Sequence, residues 1–288
     1  MSAPPRVLVL GAAGMLGHAV FRVLARNPGL VVAGTVRGHG SVALLPDELR
    51  HRLITGVDVE HIDSLIQALA TSRPDVVVNC VGLVKQLSSA EDPLVALPIN
   101  ALLPHRLSNL CAVSGTRLIH ISTDCVFSGS KGMYVESDPS DAKDLYGRSK
   151  YLGEVDAPHA ITLRTSIIGH ELGSARGLLE WFLAQDAGVK GYRRAIFSGL
   201  PTVELARVIG EYVLPRPQLN GVYHVAAAPI AKFDLLTLFA RAYGKAIPIV
   251  PDDALQIDRS LDGRRFREAT GYVAPAWPDL VQRMQESQ

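Results

Sequence analysis

Short apolar runs alternate with amphipathic stretches through the first 165 residues. RVLVLG, LVVAGTVRG, PDVVVNCVG, TRLIHIST and AITLRTS are rich in Val, Ile and Leu and lack strict in–out alternation. That pattern predicts parallel strands covered on both faces. A weaker strand is expected at RLITGV. Between the strands, GMLGHAVFRVLARN, EHIDSLIQALATSR, PLVALPINALLPHRLSNLCAVSG and LYGRSKYLGEVD repeat apolar positions at helical spacing. Asn27, Pro28 and Gly29, and later Ser114 and Gly115, read as helix stops. Alternation of strand and helix predicts an α/β fold, a doubly wound parallel sheet with right-handed crossovers.

After about residue 165 the rhythm changes. GLLEWFLAQ, TVELARVIGEYVL and FDLLTLFARAYG read as helices, while GVYHVAA and AIPIV read as isolated strands. Pro215, Pro217, Pro229, Pro248 and Pro251 punctuate the tail. No repeat or low-complexity linker separates the halves. The expected division is therefore 1–165 for the sheet domain and 166–288 for a smaller lobe packed on it, with some segments returning to the sheet.

Residues 7–17 carry no charged or strongly polar side chain, and Arg6 precedes them. A secretory apolar segment would be uninterrupted, whereas Gly11, Gly14 and Gly17 recur here every third position. The stretch instead reads as a first strand and a phosphate loop. No run approaches the roughly 18–20 apolar residues of a membrane span. The net charge of +1, with acids and bases interspersed, offers no long-range attraction to nucleic acid or an anionic membrane. Cys80, Cys111 and Cys125 lack CxxC spacing, which predicts reduced thiols in a cytoplasmic setting. The nine histidines form no metal-ligand pattern.

The glycine loop follows a strand and opens a helix. Gly11 allows the turn out of the strand, Gly14 lets the backbone approach a diphosphate, and Gly17 lets the helix pack against the sheet. With Ala13, Met15 and Leu16 they form the expected phosphate cradle of a Rossmann-type dinucleotide site; the plain alternative is tight packing without a ligand. The second strand ends with Thr35 and Arg37 in place of an acidic residue. Arg37 can grip a 2′-phosphate, which favours NADPH, with NADH as the alternative. Asp58 and Val59 are candidates for the adenine side.

A second constellation is YGRSK. Tyr146 and Lys150 are four residues apart and share one face of a helix. A free phenol titrates near pH 10, and a neighbouring ammonium is expected to lower that value and make proton transfer feasible. Thr123, at the end of the strand LIHIST, is placed to donate a hydrogen bond to a carbonyl. A turn or capping role is its ordinary alternative.

With these residues in hand, the sequence resembles the extended short-chain dehydrogenase/reductases, and within them the dTDP-4-dehydrorhamnose reductase branch. The resemblance rests on GAAGMLG, VVVNCVG, INALLPHRL, ISTDCVFSG, YGRSKYLGE and LRTSIIG, in family order across nearly the whole chain. It implies NADPH-dependent reduction of a sugar C4 carbonyl, with Thr123, Tyr146 and Lys150 as the catalytic set. It also implies that Asn79, Cys80, Val81 and Gly82 line the cofactor and that Asn100 braces the active-site backbone and the lysine. Arg164, Thr165, Ser166 and Ile167 would pass close to the nicotinamide. Dehydratases of the superfamily carry Thr-Asp-Glu where this chain has Thr123, Asp124 and Cys125, so water elimination is not expected. The reductases usually have tyrosine where Cys125 stands.

The implied substrate is a nucleotide-linked 6-deoxyhexose for cell-surface polysaccharide, its nucleotide entering the C-terminal, substrate-binding lobe. Lys85, Gln86, Thr123 and Asp124 are expected to face the sugar, and Arg193 or Arg194 the diphosphate. Arg264, Arg265 and Arg267 read as a solvated helix face, and Trp181 and Phe182 as core or homodimer interface. Some rhamnose-pathway reductases bind magnesium through a glutamate on the first helix. Residues 15–20 contain none, so no metal is expected. Two other readings stay open: an NADP-binding regulatory subunit like the methionine adenosyltransferase beta type, and an NAD-retaining sugar-nucleotide epimerase.

Overall fold

The computed structural model describes residues 3–85, 88–173 and 175–288. Its centre is a seven-stranded parallel sheet of β1 (Arg6–Leu10), β2 (Val31–Val36), β3 (Leu53–Thr55), β4 (Val76–Asn79), β5 (Arg117–Thr123), β6 (Ala160–Thr165) and β11 (Gly221–His224). The spatial order is β11-β6-β5-β4-β1-β2-β3. This is the doubly wound arrangement expected from the alternating pattern, with the order reversing between β1 and β4.

The missing in–out alternation has a direct cause. On β1, Val7 and Val9 face a core with α1 (Met15–Ala25), α8 (Thr202–Val208), α9 (Lys232–Ala242) and α11 (Trp277–Glu286). Leu8 and Leu10 face the opposite core, with α3 (Ile62–Ser72) and α5 (Leu103–Ser114). Each face is covered, so each must be apolar. A short α2 (Asp47–Arg50) lies between β2 and β3.

The tail differs from the sequence reading in one important respect. GVYHVAA is not an isolated strand: Gly221–His224 pairs in parallel with β6 and forms an edge of the main sheet. Its partner lies some 60 residues upstream, beyond the reach of a local pattern. The remaining strands make small sheets. β7 (Ile167–Ile168) pairs with β10 (Leu200–Pro201), and β8 (Val189–Tyr192) with β13 (Ile249–Asp252). β9 (Ala195–Phe197) lies between β12 (Ile230–Ala231) and β14 (Ile257–Asp258). AIPIV thus contributes to a paired strand as well. Helices α7 (Leu178–Leu183) and α10 (Arg264–Thr270) complete this region.

The long helical stretch beginning at residue 93 is also broken. It runs as α4 (Pro93–Ala96), a π-helical segment (Leu97–Leu102) and then α5. Pro98 and Pro104 cannot donate to the carbonyls four residues before them, Leu94 and Asn100. The backbone widens there instead of continuing as a regular helix. The carbonyl of Asn100 is then approached closely by Gly153, just after α6 (Leu145–Leu152). A Cβ added at Gly153 would lie 1.9 Å from that oxygen.

Gly153 therefore sets how closely the end of α6 docks. Gly153→Ala should cost about 1–3 kcal/mol through overpacking, measured as a lower urea midpoint. An unchanged midpoint would show that α6 does not depend on this approach.

Candidate active site

The glycine loop is anchored from β2. The Gly11 N–H donates to Thr35 Oγ1 at 3.1 Å, and the Ala12 N–H to the Thr35 carbonyl at 2.9 Å. Gly11 has φ of +77°, a conformation costly for any side chain. A Cβ at Gly17 would fall 1.9 Å from the Gly11 carbonyl oxygen. Thr35 is accordingly buried and committed to the loop, while Arg37 is exposed just past the strand end. Helix α1 starts after Gly14 without a side-chain cap and without an acid in its first turn. The N–H groups of its first turn and its positive dipole end thus fit the diphosphate of a dinucleotide. Met15 and Leu16 lie on this turn, and Ala13 just before its cap. Farther along, Asp58 Oδ1 accepts the Glu60 N–H at 3.1 Å, and Val59 packs against the core.

The exit from β4 is braced by two asparagines. Asn79 Oδ1 accepts the Val81 N–H at 3.1 Å, while its Nδ2 meets His120 Nδ1 at 3.1 Å. The Cys80 thiol is pushed up to about 12 by burial and stays protonated. Gly82 is exposed, and the next N–H, of Leu83, donates to Asn100 Oδ1 at 3.0 Å. Asn100 Nδ2 donates to Ser149 Oγ on α6 at 3.3 Å. One side chain therefore ties the loop after β4 to the helix that carries Tyr146 and Lys150.

Helix α6 is capped by Asp144, whose Oδ1 accepts the Gly147 N–H at 2.8 Å. Its other oxygen pairs with Lys85 Nζ at 2.7 Å, so Lys85 reaches the mouth of the site already paired. Gln86 lies outside the described residues. Gly147 lets the helix approach the Cys125 carbonyl: a Cβ there would be 2.2 Å from that oxygen.

This packing brings Thr123, Tyr146 and Lys150 together. Thr123 fulfils its capping alternative, since its Oγ1 accepts the Cys125 N–H at 3.1 Å. It also donates to Asp124 Oδ1 at 3.2 Å and lies in hydrogen-bonding reach of the Tyr146 phenol. Lys150, 5% exposed, donates to the Ile121 carbonyl at 2.8 Å, and burial lowers it to about 8. The electrostatics correct one expectation: Tyr146 is pushed up from its ordinary value, not down. Burial is the largest cause, and Cys125, Asp124 and Asp144 add to it. The phenol is held as an acid, the form a reduction consumes.

At the end of β6, Thr165 pairs in register with Thr123 and Ile167 opens β7 two residues on, whereas Arg164 is held by Glu154. The Arg164 guanidinium donates to that carboxylate at 2.6 and 2.7 Å, both side chains being buried. Asp124 is 6% exposed, and burial raises its carboxyl above the ordinary range. Arg193 is not drawn to this centre: its exposed guanidinium is engaged by Asp253 beyond β8. Arg264, Arg265 and Arg267 are exposed, with Arg265 lying over the Tyr223 ring at 4.6 Å.

The cations that do gather were not evident from the sequence. Arg176, Lys190 and Lys232 line a cleft of about 280 Å³ with Leu178, Trp181, Tyr192 and Leu236. Trp181, 38% exposed, belongs to this wall, while Phe182 is core. Lys232 is lowered mainly by burial and interacts electrostatically with Asp124, Arg259, Cys125 and Lys85. Lys232 thereby links the cleft electrostatically to the turn after β5. No local signal marks these residues, because they come from α7, β8, α9 and neighbouring loops. Among the described residues, no cluster of three or more His, Cys, Asp or Glu is placed to hold a metal ion. No helix among them is long and apolar enough to cross a membrane. The three cysteines are free.

A glycine loop and a Thr–Tyr–Lys set at one end of this sheet define an extended short-chain dehydrogenase/reductase. The match to a family model is equally extensive. The chain belongs to the RmlD substrate binding domain family, whose model matches residues 5–286. It is 30% identical to a dTDP-4-dehydrorhamnose reductase of Mycolicibacterium smegmatis over 86% of this chain and 71% of the relative. It is 28% identical to the methionine adenosyltransferase 2 subunit beta of Danio rerio over 83% of this chain and 74% of the relative. The fold is similar to that of a dTDP-4-dehydrorhamnose reductase from Bacillus anthracis, solved with NADP. The TM-score is 0.80 at 19% identity, covering 100% of both chains. The chain spans about half the length of the first curated relatives it matches.

Lys150 makes a prediction independent of activity. Its folded value of about 8 lies below the ordinary lysine value of 10.5, so the unfolded chain binds more protons between these pH values. The penalty for burying the ammonium is present below about pH 8 and vanishes as pH rises past the unfolded value. Lys150→Met should therefore gain stability relative to the parent at neutral pH, and the gap should narrow in alkali. Denaturant midpoints across this range check the sign; a pH-independent gap would contradict it.

Proposed function

We propose that the chain reduces the 4-keto group of a nucleotide-linked 6-deoxyhexose with NADPH, in the cytoplasm, as a step toward cell-surface polysaccharide. The observation that carries this reading is the convergence of Thr123, Tyr146 and Lys150 at the end of β5, beside Gly82. Asn100 ties that convergence to the cofactor side.

The residues divide the work as follows. The first turn of α1 holds the cofactor diphosphate, and Arg37 binds the 2′-phosphate. When bound, NADPH supplies the hydride. Thr123 orients the sugar carbonyl by its hydroxyl, Tyr146 gives its proton to the developing alkoxide, and the charge of Lys150 stabilises the phenolate left behind. Cys125 is no substitute for a glutamate, since burial pushes its thiol up to about 12. Reduction without elimination is the chemistry this set supports. Lys232, with Arg176, offers charge to the substrate diphosphate, Lys190 being paired with Asp252 at 3.0 Å, and Trp181 and Tyr192 offer flat faces to its base.

The similarity to a methionine adenosyltransferase beta subunit keeps a regulatory reading in play. The intact Thr–Tyr–Lys set favours catalysis, for a subunit acting only by contact does not need it. Arg37 favours a dissociable NADPH over the retained NAD of an epimerase.

Purified chain should oxidise NADPH in the presence of dTDP-4-keto-6-deoxy-L-mannose. Tyr146→Phe should lower turnover by about 10²–10⁴-fold, the usual span for a lost general acid. NADPH binding without turnover on dTDP- or UDP-linked keto-sugars would favour the regulatory reading.

Arg37→Ala should raise the NADPH KM about 10- to 100-fold, as expected for losing a charge-assisted bond worth about 1.5–3 kcal/mol. NADH kinetics should change little. Equal effects on both cofactors would remove Arg37 from the 2′-phosphate site.

A further inference from the structure

Thr123 has one proton to donate and two lone pairs to accept with. In the structure the proton goes to Asp124 Oδ1 at 3.2 Å. One lone pair receives the Cys125 N–H at 3.1 Å, which leaves the other to accept. Thr123 thus has no proton left for a substrate carbonyl. Turning its hydroxyl outward would strip a donor from the buried carboxyl, which is costly whenever that group is charged. A proton on Asp124 removes that cost, because the carboxyl can then donate to Thr123 Oγ1 and release the threonine proton.

The surroundings of Asp124 show what supplies the trigger. Facing it are Arg259 after β14, Lys232 at the start of α9, Tyr146 on α6, and Cys125 and Ser166 beside it. Burial favours the neutral carboxyl, while Arg259 opposes burial. Lys232 also attracts the ionised form, and it lines the cationic cleft. Arg259 is anchored by donating its Nε–H to the Phe127 carbonyl at 2.8 Å, and it lies in no ion pair among the described residues. An anion against these cations weakens the field that favours the charged form of Asp124.

We propose that Asp124 is a positioning residue set by the substrate: a diphosphate seated against Lys232, within the field of Arg259, drives a proton from solvent onto Asp124 and so frees the Thr123 hydroxyl to face the carbonyl. The inference rests on the nucleotide-sugar reading above. It makes the carbonyl-binding geometry available only when the nucleotide end is in place. A keto-sugar lacking its nucleotide would meet a Thr123 still held by Asp124.

Calorimetric titration of dTDP into the NADPH-saturated chain, near about pH 6.5 in two buffers of different ionisation enthalpy, counts the protons exchanged on binding. The parent should take up more protons than Asp124→Asn, by up to one per site. The difference isolates Asp124 from the protons of the nucleotide itself and of Lys232. Infrared difference spectra of the parent, which need no variant, should show a protonated carboxyl band when dTDP is added. In turnover, the Asp124→Asn pH profile should lose the limb attributable to this carboxyl. Binding with equal uptake in both proteins and no such band overturns the inference while leaving the nucleotide site intact. Failure of both dTDP and UDP to bind overturns the nucleotide reading, and this inference with it.

Discussion

The arrangement of the site depends on Asn100. Its side chain accepts from Leu83 after β4 and donates to Ser149 on α6, while its carbonyl lies against Gly153. Pro104 leaves that carbonyl without its regular helical donor, and the π-helical turn places the residue where three segments meet. Moving Asn100 would separate the loop expected to hold the cofactor from the helix expected to hold the acid. The sheet alone would not prevent this, because α6 docks on the Cys125 turn and Asn100, not within the strand ladder.

Burial sets the chemistry of the groups so gathered. Removing water from Tyr146 and Lys150 favours the neutral form of each, so the phenol rises and the ammonium falls. A reductase profits from the first shift, since Tyr146 must arrive with its proton. The second leaves Lys150 charged at neutral pH but near its titration range, held by the Ile121 carbonyl. The cationic cleft beyond Cys125 supplies a complementary need: Lys232 is partly buried and has no carboxylate within ion-pair distance among the described residues. An anionic ligand satisfies that charge, and a nucleotide diphosphate is of the right chemistry.

Much of this was legible from local pattern. The strands of the main sheet announced themselves because both faces are covered, and the glycine loop because its backbone geometry admits few alternatives. Tyr146 and Lys150 were found by their spacing, and Thr123 by its place at a strand end. Gly221–His224 was read as a strand, but its place at the edge of the main sheet was missed because its partner is distant in sequence. The break at Pro98 and Pro104 was missed because apolar periodicity runs through it. Lys232 and Arg259 were missed for another reason: an isolated basic residue looks the same on a solvated face as in a cleft. Arg193 illustrates the converse, a cation suited to a phosphate by type that its fold commits to Asp253.

The central claim is that the glycine loop and the Thr–Tyr–Lys set form a single reaction centre. The structure of the chain with NADPH bound tests it most directly. The account predicts the cofactor diphosphate on the first turn of α1, the 2′-phosphate at Arg37, and the nicotinamide between Thr165 and Tyr146. A nicotinamide directed away from Tyr146, or a diphosphate bound elsewhere, would contradict it.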